Sequence, residues 1–210
     1  MKRILIADDH AILREGLKLI LSEISGLEQI DETGFGREVI TFVRRNDYDL
    51  VLLDISLPDM NGLEVLKVIK TEKPDTKVLI LSIYPEDQYA LRVLRAGAWG
   101  YLNKESAPEE LISAVNKVAS GKKYISEYLV EKFAEDASGD LEKPLHDSLT
   151  EREMEVMQQI LKGKQLKEIA DYLNISIKTV STYKSRILTK LKVDNIVDII
   201  HYAIKHNLTE

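Results

Sequence analysis

Asp8, Asp9, Asp54, Ser82 and Lys104 are far apart in the chain, yet each stands at or just beyond the end of a short apolar run. Ile4-Leu5-Ile6-Ala7 leads into the two aspartates, Leu50-Val51-Leu52-Leu53 into Asp54, and Val78-Leu79-Ile80-Leu81 into Ser82. Trp99-Gly100-Tyr101-Leu102 stands just before Lys104. A single aspartate at a strand end is ordinarily a helix cap or a turn residue. Five polar residues at such ends say more, because an open parallel sheet gathers the carboxyl ends of its strands around one crevice. Three carboxylates drawn together there repel one another, so the pocket must raise a pKa or hold a cation. Oxygen ligands in a chain without cysteine favour a hard ion, Mg²⁺ or similar. A metal and a lysine on either side of a central carboxylate would neutralise the charge on a transferring phosphoryl group. Asp54, central and at the end of a buried strand, is the candidate nucleophile.

Such a crevice requires strands buried on both faces and helices between them, and the first 120 residues have that pattern. The continuous apolar runs suit central parallel strands, whereas the more polar Leu27 to Thr33 suits an edge strand. Ile12, Leu13, Leu17, Ile20 and Leu21 are expected on one helical face, and Leu63, Leu66, Val68 and Ile69 on another. A further helix is expected from Ala107 to Ala119, opened by the capping-box spacing Ser106-Ala107-Pro108-Glu109. Five strands alternating with five helices imply an α/β doubly wound, five-stranded parallel sheet.

Beyond Gly121 the pattern changes. Tyr124 to Ala137 has the makings of one more helix, and Ser138 to Pro144 is polar and punctuated as a linker is. Thr150-Glu151-Arg152-Glu153 is a second capping box before an apolar stripe that Gly163 ends. Helices then follow over Lys167 to Leu173, Ile177 to Leu191 and Asp194 to His206, with Asn174-Ile175-Ser176 as a tight turn. Four helices with that turn make an all-α helix-turn-helix domain. The net charge of −6 hides an asymmetry: residues 149–210 carry ten basic against eight acidic residues. Lys178, Lys184, Arg186, Lys190 and Lys192 lie together with no acid between them, a pattern that points to nucleic acid. Lys178 falls in the first turn of its helix, where a cation opposes the helix dipole by about 0.3–1 kcal/mol. A phosphate partner would offset that cost. The chain lacks cysteine, a signal-peptide h-region and any apolar stretch long enough to cross a bilayer, so a cytoplasmic protein without membrane contact is expected.

Ile6-Ala7-Asp8-Asp9-His10, Leu53-Asp54-Ile55-Ser56-Leu57-Pro58-Asp59-Met60-Asn61-Gly62, Leu81-Ser82 and Gly100-Tyr101-Leu102-Asn103-Lys104 together resemble a response-regulator receiver domain of the flavodoxin-like fold. The resemblance implies that Asp54 accepts phosphate from a sensor histidine kinase. It implies that Asp9, Asp54 and the Ser56 carbonyl hold Mg²⁺, with Asp8 acting through water. Lys104 would contact the phosphoryl oxygens, Ser82 would swing toward them, and Tyr101 would follow from an exposed to a buried position. Receivers often have proline after the lysine, in a cis peptide; here Glu105 follows Lys104. A cis bond without proline costs about 2.5–4 kcal/mol, so a trans bond or a strained loop is expected.

Leu149 to Val156, Lys167-Glu168-Ile169-Ala170, Lys178-Thr179-Val180-Ser181 and Lys190-Leu191 resemble the LuxR-type helix-turn-helix. The whole chain thus resembles a NarL/FixJ-type response regulator. Its expected parts are a receiver over residues 1–120, a connecting segment over 121–147 and a DNA-binding domain over 148–210. The resemblance places the helix from Ile177 to Leu191 in the major groove of double-stranded DNA. Ser181, Thr182 and Ser185 would face bases, and Lys178, Thr179, Lys184 and Arg186 would face phosphates. It also implies a homodimer on phosphorylation, and a protein that catalyses no reaction beyond its own phosphotransfer and dephosphorylation. A phosphatase turning over through Asp54 and an adaptor binding a partner protein are the competing readings. No second general acid is apparent for the phosphatase, and the basic helical tail has no place in it.

Overall fold

Ile4, Leu5, Ile6, Leu50 to Leu53 and Val78 to Ile80 are completely buried, as strands covered on both faces must be. In the computed structural model, which describes residues 3–84, 86–106, 108–126, 128–131, 144–206 and 208, they form the middle of a parallel sheet. Its strands are β1 (Arg3–Ala7), β2 (Gln29–Thr33), β3 (Leu50–Asp54), β4 (Val78–Ser82) and β5 (Gly100–Asn103), in the order β2-β1-β3-β4-β5. The polar strand β2 is at one edge, as its composition requires. The helices between them are α1 (Ala11–Leu21), α2 (Gly36–Arg45), α3 (Gly62–Glu72), α4 (Glu86–Arg95) and α5 (Pro108–Ala119). The order reverses between β1 and β3, and a crevice at their carboxyl ends follows from that reversal.

Alternation sorts the core. Ile4, Ile6, Leu50, Leu52, Leu79 and Leu81 pack with Leu17 and Leu21 of α1 and with Leu111, Ala114, Val115 and Val118 of α5. Leu5, Val51, Leu53 and Ile80 face the other way by the period of two. Two expectations fail in detail. Ile12 is 90% exposed, because it lies about 100° around the helix from Leu13 and off the stripe that runs through Leu17 and Leu21. In α3, Val65 is fully buried while Val68 is half-buried, so the stripe is rotated from the expected one.

Tyr124 is not helical. Its backbone forms a parallel bridge to Gly100, flanking β5. Gly100 permits this approach, since a Cβ there would stand 2.7 Å from the Tyr124 carbonyl oxygen. Residues 125 and 126 are not helical either, and residues 128–131 are; residues 127 and 132–137 of the expected helix, and all but Pro144 of the expected linker, lie outside the described residues. So does Ala107, within the first capping box. No helix among the described residues is long and apolar enough to cross a membrane.

The chain divides into two compact units, residues 1–138 and 139–210. In the second, a 3₁₀ turn (Leu145–Ser148) precedes α6 (Glu151–Leu161), α7 (Leu166–Tyr172), α8 (Ile177–Leu191) and α9 (Ile196–Lys205). The capping box at α6 is formed: the Thr150 hydroxyl accepts from the Glu153 N–H, and the Thr150 N–H donates to Glu153 Oε2 at 2.7 Å. Helix α8 packs against α6, α7 and α9. Val180, Ile187 and Leu191 turn inward and are at most 2% exposed. The turn between α7 and α8 is closed by Asn174 in the left-handed region, at φ 53°. Asparagine tolerates that conformation better than other residues with a Cβ. Ser176 then caps α8, its Oγ accepting from the Thr179 N–H at 3.0 Å.

Candidate functional site

The first unit carries its charged groups where the strand order reverses. Asp54 is the last residue of β3 and is 2% exposed; Asp8, just past β1, is 1% exposed. Lys104 reaches both: its Nζ donates to Asp54 Oδ2 at 2.7 Å and stands 2.6 Å from Asp8 Oδ2. The second contact is an ion pair outside hydrogen-bond geometry, so Asp8 Oδ2 is buried without a hydrogen bond. Asp9 is at the rim. His10 follows, its N–H donating to Asp8 Oδ1 at 2.9 Å and its Nδ1 standing 2.6 Å from Asp9 Oδ1.

Backbone features hold the acceptor in place. The Ser56 N–H donates to Asp54 Oδ1 at 3.1 Å, and the Gly62 N–H donates to the Ile55 carbonyl at 2.9 Å. A side chain at position 62 would collide with Asp54, because its Cβ would stand 2.1 Å from the Asp54 carbonyl oxygen. Asn61, fully buried, caps α3 by accepting from the Leu63 N–H. Asp59 reaches across to accept from the N–H groups of Gly36 and Arg37 at the start of α2. Arg14 of α1 donates to the Asp8 carbonyl at 2.6 Å.

Burial pushes the Asp54 carboxyl up; the Lys104 charge opposes this, the Asp8 charge adds to it, and the balance stands at about 6. For Lys104, burial acts to lower the pKa, but Asp54 and Asp8 outweigh it and raise it. One ammonium thus serves two buried carboxylates, and Asp9 at the rim leaves the pocket negative. Asp8, Asp9, His10 and Asp54 each offer a ligand atom, all within 4.8 Å of one another. With its carboxylates in excess over the one ammonium, this set fits a divalent cation.

The Lys104–Glu105 peptide is trans, as are the other peptide bonds of the described residues. The loop is held by other means: the Lys104 N–H donates to the Ser82 carbonyl at 2.8 Å, and the Glu105 N–H to Asn103 Oδ1 at 2.8 Å. Ser82 is buried at the end of β4, its Oγ accepting from the Tyr84 N–H at 3.1 Å. Tyr101 is buried too, and its hydroxyl donates to the Tyr84 carbonyl at 2.6 Å. The expected exposed starting position of Tyr101 is therefore not the one in this structure. Burial is also the main reason its phenol is held above the usual tyrosine range.

In the second unit, Lys178, Thr182, Ser185, Arg186 and Thr189 are exposed on α8. Thr179, Ser181 and Lys184 are half-buried on its flanks. Tyr183, half-buried, lines a shallow groove with Ser176, Lys178, Thr179, Thr182 and Arg186. Lys190 is diverted from the basic cluster: its Nζ donates to Glu153 at 2.6 Å and to the Ser148 carbonyl at 2.9 Å. Sequence reasoning assigned no role to His10, Arg14 or Asn103 in the first unit, nor to Thr189 in the second. His10 had a signal in its adjacency to the paired aspartates, and Thr189 in its spacing of seven from Thr182; Arg14 and Asn103 act on backbone and had none.

Residues 4–116 match the response regulator receiver domain family, and residues 147–203 match the luxR family of bacterial regulatory proteins. The response regulator UvrY of Escherichia coli K12 is 37% identical over 210 residues, covering 99% of this chain and 96% of that protein. The oxygen regulatory protein NreC of Staphylococcus carnosus is 36% identical, covering 99% of each. Among solved structures, RcsB from Salmonella enterica serovar Typhimurium, bound to promoter rprA in the presence of the phosphomimetic BeF3−, superposes with a TM-score of 0.65. It is 27% identical, over 96% of this chain and 97% of that one.

Proposed function

Since the chain belongs to the NarL/FixJ-type response regulators, which join a receiver domain to a LuxR-type DNA-binding domain, we propose that phosphorylation of Asp54 controls how α8 engages DNA. The observation that carries this reading is the buried Asp54 carboxylate held against Lys104 beside Asp8 and Asp9. A phosphohistidine on a sensor histidine kinase is the donor. An Asp54 carboxylate oxygen forms the new bond to phosphorus while the phosphorus–nitrogen bond of the donor breaks, and the imidazole leaves with the electron pair. Lys104, already within 2.7 Å of Asp54, neutralises charge on the phosphoryl oxygens. Asp9, Asp54 and the Ser56 carbonyl would hold Mg²⁺, with Asp8 acting on it through water, and the ion would supply further charge neutralisation to the phosphoryl group. The chain's chemistry is confined to this transfer and to loss of the phosphate.

The phosphoryl group adds about −1.5 to −2 charge and three acceptor oxygens at Asp54. Ser82 breaks its bond to the Tyr84 N–H to donate to it, and the inward Tyr101 fills the space that is left. On this reading the receiver spans residues 1–120, a connecting segment 121–147, and the DNA-binding domain 148–210. Helix α8 enters the major groove with Ser181, Thr182 and Ser185 toward bases and Lys178, Thr179, Lys184 and Arg186 toward phosphates. Phosphorylation favours a homodimer in part through α9, where Val197 and Ile204, seven apart, are each 57% exposed. The test is direct. Incubation with acetyl phosphate and Mg²⁺ should give an acid-stable, base-labile acyl phosphate that Asp54→Asn abolishes, because an amide is no nucleophile here. Undiminished label in Asp54→Asn would move the acceptor elsewhere.

A further inference from the structure

Lys178, Thr182, Ser185 and Thr189 follow one another at intervals of four, three and four, so they form a single exposed stripe along α8. The stripe is about 16 Å long at a rise of about 1.5 Å per residue. The hydroxyls in it share one state. Thr182 Oγ1 donates to the Lys178 carbonyl at 3.0 Å, Ser185 Oγ to the Ser181 carbonyl at 3.1 Å, and Thr189 Oγ1 to the Ser185 carbonyl at 3.0 Å. Each hydroxyl proton is thus committed to the helix's own backbone four residues back. What remains for a ligand is a pair of lone-pair acceptors and, on the two threonines, a methyl group. Thr182 and Thr189 also line one shallow groove together with Ser185, Arg186 and Lys190.

Such a surface is selective among base edges. In the major groove guanine offers only acceptors, N7 and O6, and a hydroxyl without a free proton has nothing to give them. Adenine offers the N6 amino donor, and thymine beside it in the same pair offers a methyl group. An A·T pair therefore matches both halves of what a back-bonded threonine presents, an acceptor and a methyl. A G·C pair likewise offers one donor, on cytosine, and either pair leaves two acceptors unmet, so the thymine methyl is what tells the two apart. Building on the DNA-binding reading above, we infer that Thr182 and Thr189 read A·T pairs through contact of their γ-methyl groups with the thymine methyl. Thr189 is thereby a specificity residue. The two threonines are about 10 Å apart along the helix, up to about three base-pair steps.

The test separates methyl from hydroxyl. Full-length protein treated with acetyl phosphate and Mg²⁺ selects duplexes from a randomised pool, and each thymine of the enriched site is replaced by deoxyuracil, which lacks the methyl. Thr182→Val keeps the γ-methyl, so it should bind the enriched site within about twofold of wild type. Thr182→Ser loses the methyl and should bind about fourfold more weakly, the worth of roughly one buried methyl group. It should also become indifferent to deoxyuracil at one position of each half-site, where wild type and Thr182→Val still lose affinity. The same pattern is expected one to three base pairs away for Thr189→Ser and Thr189→Val. Enriched sites with G·C at both positions would overturn the inference while leaving DNA binding intact. So would Thr182→Val binding as poorly as Thr182→Ser, or Thr182→Ser losing affinity to deoxyuracil as wild type does. Enrichment of no sequence, with no duplex retained at low salt, would overturn the DNA-binding reading and this inference together.

Discussion

A Cβ at position 62 would stand 2.1 Å from the Asp54 carbonyl oxygen, so alanine there must displace the backbone that carries the acceptor. Interior backbone does not yield as a flexible side chain would, and overpacking of this kind costs about 1–3 kcal/mol. Gly62→Ala is expected to lose that much in urea denaturation and to accept phosphate from acetyl phosphate more slowly. A variant as stable and as fast as wild type would show that the loop after Asp54 has room to move. At the pocket's rim, Asp9→Ala should weaken Mg²⁺ binding more than Asp8→Ala, because it removes a direct oxygen ligand. Calorimetric titration decides this, and equal affinities in wild type and both variants would remove the site. The order matters because Asp8 already has a partner in Lys104, whereas Asp9 is at the mouth.

Among the elements, the turn before α8 and the brace between α6 and α8 have consequences for stability. Asn174 holds φ at 53°, a conformation that costs a residue with a Cβ roughly 1–2 kcal/mol. Asn174→Ala should therefore destabilise the chain by about 1 kcal/mol while Asn174→Gly leaves it unchanged or more stable. A thermal melt in which both behave alike would show the turn to be relaxed. The brace is the Glu153–Lys190 pair. Burial pushes the Glu153 carboxyl up, but the hydrogen bonds from Lys190 and Thr150 and the Lys190 charge prevail, and it lies below the usual range. A lowered carboxylate pKa stabilises the fold above the unfolded value of 4.5, and that contribution is lost as pH falls through the folded value. Glu153→Gln should therefore cost about 1–2 kcal/mol at pH 7, and the gap to wild type should close on acidification below pH 4.5. A gap independent of pH would assign the loss to packing. The elements themselves were legible because their signals are local: apolar runs gave β1, β3 and β4, and Thr150-x-x-Glu153 marked the start of α6. Ile12 and Tyr124 were misread because adjacency to an apolar residue is not a place on the stripe, and because a bridge to Gly100 depends on a residue 24 positions away. Asp54 and its neighbours were legible as types at strand ends. The Asn103 hold on the loop and the inward Tyr101 depend on distances that no spacing encodes.

At the level of the whole molecule, phosphorylation should change DNA affinity, and three forms separate the ways it could do so. The full-length apo chain, the full-length phosphorylated chain and a fragment from Leu149 are compared by gel shift on one duplex. Release of a masked α8 predicts that fragment and phosphorylated chain both bind better than apo. A fragment no better than apo, with phosphorylation still helping, would assign the effect to receiver dimerisation instead. The diversion of Lys190 into the brace with Glu153 also sets a ceiling on how strongly salt acts on that binding. Of the five basic residues between 178 and 192, four remain for phosphate once Lys190 is engaged within the protein. Two such helices in a dimer displace at most eight condensed counterions, so this segment contributes a slope of log affinity against log salt no steeper than about −7. Lys178→Ala should flatten the slope by about two in that dimer, and Lys190→Ala should lower the melting temperature while leaving the slope where it was.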